Sequence, residues 1–383
     1  MSDTAACRQR EAVILIHGMD GKTSGDILAK MERGILSSGE LTHKQSKPDH
    51  SLGEHEARVL EVKTRQDPEN IRELHLFEAF WGDTITALTK RPIKEQILRG
   101  LILIFYWGHT PVSKTKNRYI AYCGLITTLA MLFWWYGAVT SSLNVLALPS
   151  GKSFSDLVSN ATSDMWFPFA FLGCLISDMT QWWLSLTTLL FGGSLAIVIE
   201  SAVNILGFAY RYLTDDNLRQ GIWKRVSGLI LEIEASGEYE RITIVSHSFG
   251  TVIHVDFMAD YAGSSGTSMR HITLAGPLAV MALRAQSIRQ RMSLALSSPV
   301  IRKQSWVDFY SDADWMCTAM PDSSSEFSFE TQEFKDADRT IDHRTIEFED
   351  VHLLRKFFGA YHTRYFREPE VIEEILTPIA PIN

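Results

Sequence analysis

The segment RITIVSHSFGTVIHV, residues 241–255, indicates the fold class of this 383-residue chain. It begins with an apolar, β-branched run that is typical of a buried strand, and the residues after Gly250 are compatible with a helix. The small residues Ser246 and Gly250 flank Ser248, as a sharp turn between a strand and a helix requires, because the two backbones pass close together there. The segment therefore predicts a strand, a tight turn and a helix, with the Ser248 hydroxyl projecting from the turn.

Other parts of the chain continue this alternation of strands and helices. Short apolar runs predict strands at residues 13–16, 58–63, 73–81 and 271–275, and the apolar run 305–314, which ends in acidic residues, predicts another. Apolar residues at helical spacing predict helices at 24–36 and 217–236, and Gly237 is a stop signal for the second. Polar composition with glycine and proline predicts a loop at 37–56, and an exposed acidic excursion is predicted at 318–345.

Three residue types that can act together on a hydroxyl occur along the chain in the order serine, aspartate, histidine. They are Ser248, Asp314 at the acidic end of the run 305–314, and His362 near the C-terminus. A buried-strand run ending in His17-Gly18 precedes all three. This order and the His-Gly pair resemble the α/β-hydrolase superfamily, and more narrowly its lipase-like and serine-esterase-like members.

The resemblance covers roughly residues 11–82 and 217–366. It implies an α/β fold with a mostly parallel sheet and helices on both faces. Ser246 stands where the usual G-x-S-x-G pattern has its first glycine, which is a change from one small residue to another.

The resemblance also implies a role for each residue of a catalytic site. Ser248 would be the nucleophile, His362 the base that takes its proton, and Asp314 the acid that orients the imidazole. The backbone N–H groups of Met19 and Phe249 would form the oxyanion hole. Neither a metal nor an organic cofactor is implied.

Alternatives remain open for two of these roles. Asp312 lies two residues before Asp314 and is the alternative acid. His352 and His343 are the alternatives to His362 as the base.

Several nearby polar residues are expected to have structural roles instead. Ser246 lies on the strand side of the turn, and His247, adjacent to the nucleophile, is expected to face elsewhere. His17 is expected to be structural, and Asp308 to be a satisfied polar group within its strand.

Composition excludes several partners and sites. The net charge of −8 leaves no excess of Lys and Arg to neutralise phosphates, so we expect no nucleic acid among the partners. No paired or metal-like spacing occurs among the cysteines, so neither a disulfide framework nor a zinc site is predicted. The cysteines are Cys7, Cys123, Cys174 and Cys317. The polar N-terminal segment is unlike a secretory signal peptide.

The middle of the chain is strongly apolar. Residues 119–148 contain no charged side chain, and neither do residues 179–199. Because a helix needs about 20 apolar residues to cross a bilayer, we predict two membrane spans at residues 119–143 and 180–206. Together they would form an apolar helical hairpin inserted into the α/β domain.

This insertion defines the predicted domains and their orientation. The predicted domains are the first part of the α/β domain (1–118), the insertion (119–212) and the second part of the α/β domain (213–383). Both parts must lie on one side of the membrane to build a single sheet. Basic residues, which collect on the cytosolic side, flank the two spans, so the α/β domain is predicted to be cytosolic. These residues are Lys114, Lys116, Arg118, Arg211, Arg219, Lys224 and Arg225.

Taken with the resemblance, these features predict a membrane-anchored serine hydrolase that cleaves lipid or acyl esters. Two alternatives stay open: a non-catalytic membrane scaffold that uses a hydrolase fold to bind a partner, and a soluble esterase whose apolar middle forms a cap. Neither the individual substrate nor the oligomeric state follows from the residues.

Overall fold

The computed structural model describes residues 9–20, 23–85, 95, 98–100, 102–103, 132, 194–261, 268–298, 304–314, 317–321, 341–348 and 361–378. Its strands are β1 (Gln9–Ile16), β2 (Leu41–Leu52), β3 (His55–Thr64), β4 (Arg72–Glu78), β5 (Arg241–His247), β6 (Ser268–Leu274), β7 (Ser305–Tyr310) and β8 (Asp342–Thr345). Its α-helices are α1 (Asp26–Ser37), α2 (Ser194–Thr214), α3 (Asp216–Ser236), α4 (Gly250–Met258), α5 (Leu278–Arg284), α6 (Gln286–Ser297) and α7 (Pro369–Leu376). Short 3₁₀ helices occupy Gly82–Thr84 and Arg364–Arg367.

The strands form one sheet in the order β2-β3-β4-β1-β5-β6-β7-β8. All pairs from β4 to β8 are parallel, whereas β2 with β3 and β3 with β4 are antiparallel. This mostly parallel α/β sheet is compatible with the hydrolase-like fold predicted from the sequence. Because parallel strands end at the same edge, the loops that follow β1, β5 and β7 lie together.

Apolar residues cover both faces of the sheet. Along β1, Val13 and Leu15 belong to a core cluster with α1, the Arg364–Arg367 turn and α7. Side chains alternate along a strand, so the buried residues Ala12, Ile14 and Ile16 face the opposite side. There, α3 and α4 pack against β1. Buried on both faces, β1 accordingly has the continuous apolar sequence that predicted it.

Local signals set the ends of α3, the predicted helix 217–236, which the structure confirms. The Asp215 carboxylate accepts a hydrogen bond from the Leu218 N–H (3.2 Å) and so caps the first turn. Gly237 follows the helix with φ of 65°, a left-handed conformation that favours glycine.

One sequence-based prediction of irregular structure is wrong. Residues 37–56, predicted as a loop, contain β2 and the turn into β3. β2 is an edge strand with mostly exposed side chains, so it lacks the apolar alternation that marks a half-buried strand. The predicted exposed excursion 318–345 includes the short edge strand β8, whose side chains are not buried, and residues 322–340 of it lie outside the described ranges.

Backbone contacts divide the chain into two compact units, Met1–Ile85 with Asp215–Asn383, and Thr86–Thr214. Of the predicted spans 119–143 and 180–206, only residues 132 and 194–206 fall within the described ranges. Among the helices in those ranges, none is both long enough and apolar enough to cross a membrane. The predicted domain boundaries and the spans stay predictions.

Gly250 allows α4 to begin directly against the end of β1. A Cβ atom at this position would lie 2.1 Å from the carbonyl oxygen of Ile16 and 2.7 Å from that of His17. Both distances are shorter than a van der Waals contact between carbon and oxygen. Because backbone atoms can move little in a packed core, a side chain at this position would clash.

We therefore expect Gly250→Ala to lower the free energy of unfolding by about 1–3 kcal/mol, as overpacking does elsewhere. Gly228→Ala in α3 is the matched control, because nothing lies within 4 Å of its added Cβ. That change should raise the stability by about 0.5–1 kcal/mol. Equilibrium urea unfolding of the two variants measures both effects, and an unchanged midpoint for Gly250→Ala would contradict the packing argument.

Candidate active site

Ser248 occupies the turn between β5 and α4 in a conformation that non-glycine residues rarely adopt. Its φ is 56°, in the left-handed region. The Ser248 N–H donates to the carbonyl oxygen of Leu274 on β6 (2.9 Å), and the Thr251 N–H donates to the carbonyl oxygen of Ser248 (3.0 Å). These bonds hold the strained turn, and the Ser248 side chain remains half-buried at the carboxyl edge of the sheet.

Gly18 brings the loop after β1 against this turn. A Cβ atom on Gly18 would lie only 2.6 Å from the Ser248 Cβ and 3.1 Å from the Ser248 Oγ. The predicted oxyanion-hole residues adjoin this contact: Met19 follows Gly18 directly, and Phe249 is the first residue after Ser248. The structure thus places both beside the predicted nucleophile, and the donor role of their N–H groups stays a prediction.

His362 connects Ser248 to a buried carboxylate. The His362 Nδ1–H donates to the Asp314 Oδ2 over 2.7 Å, so the neutral ring presents Nε2 as an acceptor. The Ser248 hydroxyl lies 2.7 Å from this Nε2 and donates to it. Asp314 is 1% exposed and His362 is 8% exposed, so the carboxylate and the imidazole interact in an environment with little water. Hydroxyl, imidazole and carboxylate form one continuous hydrogen-bonded chain.

The surroundings of His362 favour its charged form. Burial lowers the pKa of its imidazole, but the charge of Asp314 and their hydrogen bond outweigh burial, and the charge of Asp20 adds to their effect. The pKa of His362 is therefore raised above its ordinary value. An imidazole with a raised pKa can accept a proton from Ser248 and carry the resulting positive charge.

The alternatives for the acid and the base are placed differently. Asp312 is exposed, whereas Asp314 faces the imidazole. The His343 Nδ1 is hydrogen-bonded to the Asp308 Oδ2 over 3.1 Å. His352 lies outside the described residues.

Asp308 is satisfied inside the fold, as the sequence predicts. Its Oδ1 accepts from the Thr273 hydroxyl (2.6 Å), and its Oδ2 accepts from the backbone N–H of Met320 (2.7 Å). A carboxylate with these partners and 1% exposure stabilises the junction of β6 and β7.

His17 has the structural role predicted for it. Its ring stacks on Trp81 with centroids 5.0 Å apart. The Nδ1 donates to the carbonyl oxygen of Gly18 (2.6 Å), and the Nε2 accepts from the Trp81 N–H (3.2 Å). Burial lowers the pKa of His17, in keeping with this neutral tautomer. Both ring nitrogens are therefore used in shaping the loop that contains Met19.

Ser246, the hydroxyl nearest to Ser248 along the chain, is hydrogen-bonded to a histidine other than His362. Its Oγ pairs with the His254 Nδ1 over 2.9 Å, and the His254 Nε2 pairs with the His271 Nδ1 over 3.0 Å. Burial and the neighbouring His271 lower the pKa of His254 well below its ordinary value, so His254 is neutral.

Sequence reasoning missed two residues at the site. His247, expected to face elsewhere, has its ring centroid 4.9 Å from that of His362. Asp20, to which no role was assigned, has its Oδ1 3.9 Å from the His247 Nδ1. Neither contact has a local signal, because β5, the loop after β1 and the C-terminal segment are far apart in sequence.

No group of three or more acidic, histidine or cysteine side chains within the described ranges could hold a metal ion. Comparison of the chain with protein-family models, with curated proteins and with solved structures finds no match. A function for this chain is therefore inferred from the geometry of the site itself.

Proposed function

We propose that this protein is a serine hydrolase that cleaves carboxylic esters through an acyl-enzyme. The observation that carries the proposal is the chain from Ser248 through His362 to Asp314, with 2.7 Å at each step. This hydrogen-bonded chain begins at the hydroxyl of Ser248, which lies on a strained turn between a strand and a helix. Strain of this kind is commonly retained where it serves function.

In the proposed reaction, the Ser248 Oγ attacks the carbonyl carbon of the ester while its proton passes to the His362 Nε2. Asp314 holds the ring through Nδ1–H and stabilises the imidazolium. The N–H groups of Met19 and Phe249 are proposed to stabilise the oxyanion. His362 then returns the proton to the leaving alcohol, and water, deprotonated by the same imidazole, releases the acid from the acyl-enzyme.

We further propose that the substrate is a lipid or another acyl ester and that the chain is anchored in a membrane with its α/β domain in the cytosol. This rests on the uncharged runs 119–148 and 179–199 and on their basic flanks. An anchor would hold Ser248 near the headgroup region, where such esters are concentrated.

One experiment tests the chemistry and the anchor separately. Membranes from cells that express the full chain are washed with alkaline carbonate, and pellet and wash are treated with a fluorescent fluorophosphonate probe. We expect label on the wild-type chain in the pellet, and none on Ser248→Ala, because the probe reacts with an activated serine. Ser246→Ala is the matched control and should keep the label, since its hydroxyl is engaged with His254.

The outcomes point to different conclusions. Label in the wash would keep the hydrolase and reject the anchor, and the apolar middle would then be a cap. A folded wild-type chain that takes no label would reject the hydrolase and favour the non-catalytic scaffold. Label that persists in Ser248→Ala would place the nucleophile elsewhere.

A further inference from the structure

His247 connects the strand of the nucleophile to the backbone of the proposed base. It is fully buried, and its Nε2–H donates to the carbonyl oxygen of His362 over 2.6 Å. Its ring also packs against Phe366, with centroids 5.0 Å apart. Ser248 follows His247 directly in the chain. The same segment therefore presents the Ser248 hydroxyl and binds the backbone of His362, the residue proposed to accept its proton.

The other ring nitrogen of His247 points towards a second carboxylate. Burial lowers the pKa of His247 to about 4, so the ring is neutral at pH 7. With the proton on Nε2, the Nδ1 carries a lone pair and lies 3.9 Å from the Asp20 Oδ1. Within the described residues, neither this nitrogen nor either oxygen of Asp20 has a hydrogen-bond partner.

Asp20 is nevertheless placed to act by charge. Its Oδ1 and the Ser248 Oγ both lie 3.1 Å from the position that a Gly18 Cβ would occupy, so the carboxylate and the nucleophile both border Gly18. The Lys30 ammonium lies 3.9 Å from the Asp20 Oδ2 and compensates its charge only in part, since that contact is too long for a hydrogen bond.

We propose that His247 is a positioning residue for His362, acting through its hydrogen bond to the His362 carbonyl oxygen, and that Asp20 is a second carboxylate that stabilises the His362 imidazolium. The inference rests on the proposed hydrolase function. The base would then be held at its ring by Asp314 and at its main chain by His247, and two carboxylates, Asp314 and Asp20, would stabilise its charge. The titratable groups around it are Asp314 and Asp20, whose charges raise its pKa, and His247, whose ring centroid lies 4.9 Å from its own.

Two substitutions of similar size separate positioning from packing. His247→Gln keeps an N–H donor at about the reach of Nε2, whereas His247→Met fills similar volume without a donor. With a short-chain p-nitrophenyl ester and the full chain in detergent, we expect His247→Met to lower kcat about 10²-fold at unchanged KM, because a shift of about 1 Å in a reacting group costs that much. His247→Gln should recover most of the loss.

Equal losses in the two variants would overturn the positioning role, and so would a His247→Met variant with wild-type kcat. Circular dichroism and the midpoint of urea unfolding show whether each variant is folded. A wild-type chain without esterase activity would instead reject the proposed function itself.

Asp20→Asn tests the second carboxylate independently, even if both His247 variants fail to fold. His362 must be neutral to act as a base, so kcat/KM falls as the pH drops below its pKa. Removing the charge of Asp20 lowers that pKa, and we expect the acid limb of the kcat/KM profile to move to lower pH. Lys30→Met is the control of opposite sign and should move the limb to higher pH. An unmoved limb in Asp20→Asn would overturn this part of the proposal.

Discussion

Ser248→Ala is expected to lower kcat for ester hydrolysis by about 10⁶-fold, the size of loss that follows removal of a triad serine. The two neighbouring hydroxyls have other partners, since Ser246 is bonded to His254 and the Thr251 hydroxyl donates to the carbonyl oxygen of Ser248. The Ser248 side chain is half-buried on a turn, and its removal takes away one hydrogen bond, so the fold should persist. Turnover of a p-nitrophenyl ester measures the loss.

His362→Ala should cost about as much as Ser248→Ala, and the double variant should be no worse than either single change. The reason is that serine and imidazole act as one unit, so removing the first already removes the contribution of the second. Additive losses in the double variant, or near-native turnover in folded His362→Ala, would show that the base is assigned wrongly. His352 would then be the next residue to test.

Asp314→Asn should lower kcat by about 10⁴-fold, as does loss of the orienting carboxylate in other triads. An asparagine can present its NH₂ to the His362 Nδ1 and so favour the tautomer with the proton on Nε2. That tautomer cannot accept the Ser248 proton, although the distances between heavy atoms would hardly change.

Asp312→Asn is the matched control for this change. Asp312 is exposed, and Asp314 already occupies the partner position of the His362 Nδ1 at 2.7 Å, so the effect on kcat should be small. The reversed result, a large loss in Asp312→Asn and a small one in Asp314→Asn, would move the acid to Asp312 and leave Ser248 and His362 in place.

Signals within a few residues of one another made much of the α/β fold predictable. β1 and β5 are continuous apolar runs because both faces of the central strands are buried. The ends of α3 are set locally by the Asp215 cap before it and by Gly237 after it. The turn at Ser248 was also predictable, because small residues are required where the strand and helix backbones pass close together. The edge strand β2 was missed because solvent covers one of its edges and most of its side chains, leaving no apolar pattern.

The chain by itself therefore determined the alternation of strands and helices, the position of Ser248 and a short set of acids and histidines. The resemblance supplied a preference for Asp314 over Asp312 and for His362 over the other histidines. Tertiary structure decided which members of that set meet, pairing Asp314 with His362 and leaving Asp312 exposed. It also brought His247 and Asp20 to the same place. Such contacts depend on how three loops converge at one edge of a parallel sheet. Sequence periodicity cannot predict them, because it indicates which residues of a segment are buried and not how far apart two segments lie.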